Sequence, residues 1–224
     1  MRGGNVKSFQ QFKGEIKMKR GSTIAMGVVL AGVSMFALSH QAISAAAGGM
    51  TTILDGTEAT LRNFEQAGNA NWRVGPGEQN GGSTIYADLG NGFLVTKESY
   101  DNFRIRAEVY LDANHNSGIF IRCEDPEEPG ADSCYEVNLF DTRPDKSYGT
   151  GAIVNVPGAT VNPMPTAANK WNVMEIEARG PMMIVRLNGQ QTVSVSDNKH
   201  ARGRIALQRG SGKVMWRKVE IQRL

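Results

Sequence analysis

Between residues 83 and 221 apolar and polar positions recur with a period of two, broken at intervals by Gly, Asn and Pro. Residues 103–111, Phe-Arg-Ile-Arg-Ala-Glu-Val-Tyr-Leu, alternate through most of their length and predict a half-buried strand. Short β-rich runs at 83–87 and 92–96 precede it, and further runs follow at 116–122, 135–141, 171–178, 182–187, 191–195, 203–208 and 213–221. Asn188-Gly189 lies between two of them, a pair suited to a two-residue hairpin whose twist matches its strands. In the last run Val214 and Trp216 are out of phase with Val219 and Ile221, so a bulge near Arg217 is expected. Nothing after residue 46 has a convincing helical period. Many short strands with Gly and Asn turns predict an all-β fold, a sandwich or jelly roll of two antiparallel sheets. Its expected core holds Ile105, Ala107, Val109, Ile119, Ile121, Val137, Leu139, Ile205 and Leu207. The Pro-containing stretch 156–168 reads as a surface crossover.

Two strands carry polar side chains in unusual places. In 116–122, alternation puts Gly118, Phe120 and Arg122 on one face and Ile119, Ile121 and Cys123 on the other. In 135–141, Glu136, Asn138 and Phe140 oppose Val137 and Leu139. One face is core, and the other offers Arg, Glu, Asn and an aromatic ring, an inventory suited to a polar groove of sugar size. One conflict stands in the pairing. If Cys123 and Cys134 were directly opposite, Arg122 would face Tyr135, and Glu136 would point to the other side. Arg122 and Glu136 share a face only if the cysteines lie outside the regular ladder or a bulge intervenes.

The N-terminal segment changes the charge balance. Lys17-Met18-Lys19-Arg20 is a basic start, residues 23–38 are apolar, and Ala45-Ala46-Ala47 supplies small residues for cleavage. Residues 1–46 are read as a signal peptide, with an over-extended start before Met18 and a retained N-terminal anchor as the alternative. No Cys follows the apolar run, which argues against a lipid anchor. Export to the periplasm or medium, without a stable membrane anchor, is therefore expected. The whole chain of 224 residues has a formal net charge of +3. Six of its 25 Lys and Arg and one of its 22 Asp and Glu precede residue 47, leaving 19 against 21. A single domain at 47–224 with net charge −2 lacks the clustered cations that nucleic acid requires.

Cys123 and Cys134 are the two cysteines, and in an exported chain they are expected to form a disulfide. Free thiols or a metal site are the alternatives, the latter weakened because only His115 and His200 remain beside them. No cofactor is expected. Calcium held by Asp112, Asn114 and Asp141 stays open, although no regular calcium-loop spacing is present. The sequence is silent on oligomeric state.

An ordered set of motifs carries a resemblance. Asn116-Ser117-Gly118 with Arg122, then Tyr135-Glu136-Val137 with Asp141, are followed by Thr150-Gly151-Ala152-Ile153, Trp171-Asn172 with Glu175-Ile176, Asn188-Gly189, and residues 203–208, Gly-Arg-Ile-Ala-Leu-Gln. From about residue 53 to 224 the chain resembles the 3-keto-disaccharide hydrolase domain family, formerly a domain of unknown function. It departs from that family at the opening, where only Leu54-Asp55-Gly56 remains of an aromatic-containing strand. It departs again after Gln208, where Arg209-Gly210 stands in place of a common His. The resemblance implies a concanavalin A-like jelly-roll sandwich and a small carbohydrate substrate. A ketone at C3 of a sugar acidifies the C2 hydrogen, so a base and an oxyanion stabiliser suffice. The paired carboxylates of ordinary glycosidases are not required. Glu136 is the candidate base and Arg122 the candidate stabiliser, with Asn138, Gln208 and Asn116 as hydroxyl-binding residues and Phe120 as a stacking ring. A structural ion pair between Arg122 and Glu136, and a non-catalytic glycan-binding module on the same fold, are the alternatives.

Overall fold

A computed structural model describes residues 49–224. The expected signal peptide, residues 1–46, lies outside the described residues. The strands are β1 (Thr51–Leu54), β2 (Phe64–Gly68), β3 (Arg73–Pro76), β4 (Ser83–Ala87), β5 (Gly92–Thr96), β6 (Phe103–Leu111), β7 (Ser117–Cys123), β8 (Tyr135–Leu139), β9 (Lys170–Arg179), β10 (Met182–Leu187), β11 (Gln190–Ser196), β12 (Arg204–Arg209) and β13 (Val214–Arg223). The single α-helix among the described residues is one turn, Glu58–Leu61, started by the Thr57 side chain.

The strands form two antiparallel sheets. The larger runs β11-β10-β9-β6-β13-β4-β3, with β1 also paired to β13. The smaller runs β2-β5-β12-β7-β8. All nine expected core residues are fully buried, because each sits on the inward phase of its strand. The Asn188-Gly189 hairpin forms with both residues at positive φ (51° and 81°), as its turn type demands.

Strand β13 occupies the middle of the larger sheet. It pairs along its whole length with β6, while on its other side Val214–Trp216 pair with β4 and the last residues pair with β1. Its register on β6 slips between Trp216 and Lys218. This is the expected bulge at Arg217, and it returns Val219 and Ile221 to the core face alongside Trp216.

The stretch 156–168 departs from expectation. Val156, Ala159 and Ala167 are buried in the main core, so the crossover is anchored and not merely laid over the surface. Residues 151–154 also bond to β8: Asn138 donates its backbone N–H to the carbonyl of Ala152, and Val154 donates to that of Glu136. The edge of β8 is thereby covered.

Candidate functional site

The smaller sheet sets the site by its register. Phe120 lies opposite Glu136 and beside Ala206, which faces Val95, which faces Glu65. The neighbouring row reads Ala67, Phe93, Gln208, Gly118 and Asn138. Directly opposed residues share a face, so both rows lie on the outer face of this sheet. Glu136, Asn138, Phe120 and Gln208 are brought together as expected, and Glu136 and Asn138 are roughly 7 Å apart along β8.

Arg122 is not part of this group. The pairing of β7 with β12 slips between Phe120 and Cys123, and Arg122 takes a positive φ of 55°. It is the extra residue of a bulge, so its side chain leaves the Phe120 face and Cys123 moves onto it. Arg122 is 1% exposed. Its guanidinium donates twice to the carbonyl of Asp101, at 3.0 and 2.6 Å, and once to that of His200 at 3.2 Å. It clamps two loops and does not stabilise an oxyanion at Glu136, nor does it pair with that carboxylate. The pairing conflict between the cysteines and Glu136 is resolved by the same bulge. Cys123 and Cys134 form a disulfide, with Cα atoms 4.2 Å apart, while Phe120 still faces Glu136.

The disulfide packs on the outer face with Val95, Phe120 and Ala206. Half of the expected groove is therefore filled by the disulfide itself. Phe120 is 2% exposed and meets the half-buried Phe93 edge-on at 5.1 Å, so it supports the face from beneath and is not a free stacking ring.

The open half is polar. The Glu136 carboxylate is half-buried and has no hydrogen-bond or ion-pair partner among the described residues. Burial pushes its pKa up, and the positive charge of Arg143 offsets part of that. Asn138 is fully buried, and its Nδ2 donates to the carbonyl of Tyr148 at 2.8 Å. That bond fixes the amide orientation and leaves Oδ1 buried without a donor. Gln208 Oε1 is likewise buried without a donor. Gly118 lies between them in the row; a Cβ there would come within 2.9 Å of the Val137 carbonyl oxygen and 3.7 Å of Gln208 Oε1. The amide of Asn116, half-buried beside Gly210, also has no partner among the described residues. An acceptor hidden from water without a donor costs ~1–3 kcal/mol.

Arg143 is the residue that sequence reasoning missed. It follows β8 in the turn where its backbone N–H donates to the carbonyl of Phe140. Its Nε is buried without a partner, and it makes no ion pair among the described residues. A turn has no periodicity to mark such a residue. The one sequence signal is that it lies two residues beyond Asp141.

The remaining polar candidates serve the fold. Asp141 accepts from the Thr150 hydroxyl at 2.5 Å and from the backbone N–H groups of Ala167 and Ala168. Burial pushes its pKa up, but the His115 imidazole 3.5 Å away and these donors outweigh it and bring the value down to about 2. The carboxylate of Asp112 accepts from the backbone of Asn114 and Lys213. Both acids are thus committed to backbone groups, and no cluster of three His, Cys, Asp or Glu suited to a metal exists among the described residues. His115, fully buried, donates from Nδ1 to the Asp112 carbonyl at 2.6 Å. Arg209, where the resembled family commonly has a nearby His, donates to the carbonyls of Asp88, Gly90 and Gly212.

The family model of the 3-keto-alpha-glucoside-1,2-lyase-like domain matches residues 49–222. The chain belongs to that family. No curated protein matches it. Among solved structures, a glycosyl hydrolase candidate from Parabacteroides distasonis superposes on this lyase-like domain with a TM-score of 0.63 at 18% identity, over 79% of this chain and 94% of that one. A β-glucanase of Bacillus licheniformis does so with a TM-score of 0.53 at 12% identity, over 79% and 99%. A galectin-like protein of unknown function from Bacillus subtilis gives 0.52 at 9%, over 79% and 97%. These likenesses show that the lyase-like domain is a two-sheet jelly-roll sandwich.

Proposed function

We propose that this lyase-like domain cleaves the glycosidic bond of 3-keto-glucosides or 3-keto-disaccharides by elimination and then hydration. The observation that carries the reading is the unpartnered, half-buried Glu136 carboxylate, flanked by buried acceptors that lack donors. A raised pKa makes Glu136 a stronger base once ionised. Its carboxylate takes the proton from C2, and the electron pair moves onto the C3 oxygen as an enolate. Arg143, whose charge acts on Glu136, supplies the cation for that oxygen. The enolate then re-forms the ketone, C1 and C2 become double-bonded, and the C1–O bond breaks. The departing alkoxide recovers a proton from the Glu136 carboxylic acid. Water adds across the double bond, hydroxyl to C1 and hydrogen to C2, to give the 3-keto sugar. Asn138 and Gln208 accept from ring hydroxyls.

The family's described lyase activity and the glycan-directed names of its structural neighbours support a carbohydrate-active protein. Export belongs to the same reading. The Cys123–Cys134 disulfide suits an oxidising compartment.

The test is Glu136→Gln, which keeps shape while removing the base. Turnover of a 3-keto-glucoside is expected to fall by roughly 10²–10⁴-fold, the usual contribution of a positioned base. Turnover at the wild-type rate refutes the assignment. If neither protein turns over any keto-sugar and both bind glycans equally, a binding module replaces the enzyme.

A further inference from the structure

Arg143 has nothing of its own to hold it. Its Nε is buried without an acceptor, and no ion pair restrains it among the described residues. A guanidinium on a long flexible stem has many rotamers, so what fixes it is the backbone beneath it. That backbone is the loop 141–150, which leaves the end of β8 and comes back along the same strand. On the return, Gly151 donates its N–H to the Asn138 carbonyl at 2.8 Å, and Val154 donates to that of Glu136 at 3.0 Å.

The neck of the loop is one carboxylate. Asp141 Oδ1 accepts from the Thr150 hydroxyl at 2.5 Å, which joins the first residue of the loop to the last. Its Oδ2 accepts from the backbone N–H groups of Ala167 and Ala168 at 2.8 and 3.0 Å, tying the neck to the buried crossover. Thr150 is fully buried and the Asp141 side chain is 10% exposed, so water does not readily replace these donors. Inside the loop, Lys146 Nζ donates to the Asp141 carbonyl at 2.7 Å, and Arg143 donates its N–H to that of Phe140 at 3.3 Å. The Tyr148 carbonyl takes the Asn138 amide.

Glu136 senses where that loop lies. Arg143 is the charged group whose field acts on its carboxylate. Phe120, opposite it on β7, and Val154, bonded to it from the returning chain, are uncharged. A displaced Arg143 therefore changes the electrostatics of Glu136 without any change in Glu136 itself.

We propose that Asp141 is a positioning residue for the reaction: it closes the loop 141–150 and so fixes Arg143 where its charge meets the Glu136 carboxylate and the enolate oxygen. The assignment rests on the function proposed above, and it extends the site from the sheet face into the loop beyond β8.

The test follows the Glu136 carboxyl by ¹³C NMR titration in substrate-free wild type, Arg143→Met and Asp141→Asn. Arg143→Met is expected to raise the Glu136 pKa, because a cation is lost. Asp141→Asn is expected to give a comparable rise. Removing an anion would by itself lower a neighbouring carboxyl's pKa, so a rise reads the displacement of Arg143 and not the lost charge. The control is Asp112→Asn, whose carboxylate ties the backbone of Asn114 and Lys213 outside this loop; it is expected to leave the titration unchanged. An unchanged or lowered Glu136 pKa in Asp141→Asn overturns the proposal. So does an absent shift in Arg143→Met, or an equal rise in Asp112→Asn. If Asp141→Asn does not fold, Thr150→Val cuts the neck from the other side and leaves every charge in place; a rise supports the proposal and no change overturns it. Turnover of a 3-keto-glucoside is the second readout. Asp141→Asn is expected to lower kcat about tenfold with little change in KM, since Arg143 meets charge that develops only in the transition state. A kcat equal to wild type overturns the positioning role, even where Tm has dropped. If wild type turns over no keto-sugar, the proposed reaction fails, while the titration still decides whether Asp141 holds Arg143 in place.

Discussion

Arg122 offers the sharpest separation of structure from chemistry. Replacement by Met keeps much of the side-chain volume and removes the guanidinium. Three charge-assisted hydrogen bonds go, and the carbonyls of Asp101 and His200 lose these donors. Each such bond is worth ~1.5–3 kcal/mol. Against this, burial itself disfavours the charge, as the lowered pKa of Arg122 records, so relieving that burden offsets part of the loss. A net destabilisation of about 2–4 kcal/mol follows. For a domain of this size that lowers Tm by about 4–16 °C. Calorimetric melting of wild type and variant measures it, together with turnover or glycan binding well below the variant's Tm. The folded variant is expected to keep wild-type activity per molecule, because Arg122 does not reach the Glu136 face. An unchanged Tm with activity abolished would refute the clamp and restore Arg122 to the site.

Three further predictions test other parts of the structure. Asp141→Asn is expected to cost about 2 kcal/mol at neutral pH, because the native carboxyl sits at about 2 against an ordinary value near 3.8. The native advantage is complete above the unfolded value and fades as pH falls from 4 towards 2, so melting curves of wild type and variant should converge in that window. Glu136 has the opposite sign. Its raised pKa means the folded state holds the proton more tightly, so its charge costs stability as pH rises above the ordinary carboxylate range. Glu136→Gln should therefore gain in Tm relative to wild type between pH 4 and 7, and a relative loss would contradict the burial argument. Replacing both Cys123 and Cys134 by Ser should cost about 3 kcal/mol from loop closure and raise dye binding to the uncovered Val95–Phe120 patch, read by denaturant titration and fluorescence.

Legibility followed periodicity. Ile105, Ala107 and Val109, or Ile205 and Leu207, are inward residues of strands whose alternation is complete, and each is buried as read. The Arg217 bulge left a visible phase slip between Trp216 and Val219, so it too was readable. The Arg122 bulge left none, because Ile119, Phe120 and Ile121 are apolar on both faces and show no phase that a slip between Phe120 and Cys123 could break. Its one trace was the pairing conflict between the cysteines and Glu136, which is a statement about two strands and not one. Glu136, Asn138 and Gln208 were legible as neighbours on one face because they interrupt apolar strands. Arg143 was not, because it lies in a turn. The buried position of Phe120 was hidden for a third reason: its cover is the disulfide and Phe93, which other strands bring to the same face.

The place of β13 has a consequence for the order in which the molecule can form. The segment 214–223 follows every other described strand in the chain, yet it is the partner of β6, β4 and β1. Without it the larger sheet is split into β3-β4 on one side and β6-β9-β10-β11 on the other, and Trp216 is missing from the core. A nascent chain therefore lacks the central strand of its main sheet until all the other described strands have been made. Closing the larger sheet must wait for β13 and proceed through pairings distant in sequence, which is intrinsically slow. That delay keeps the polypeptide extended for longer. It also makes residues 214–223 the place where a small deletion would prevent the sandwich from closing.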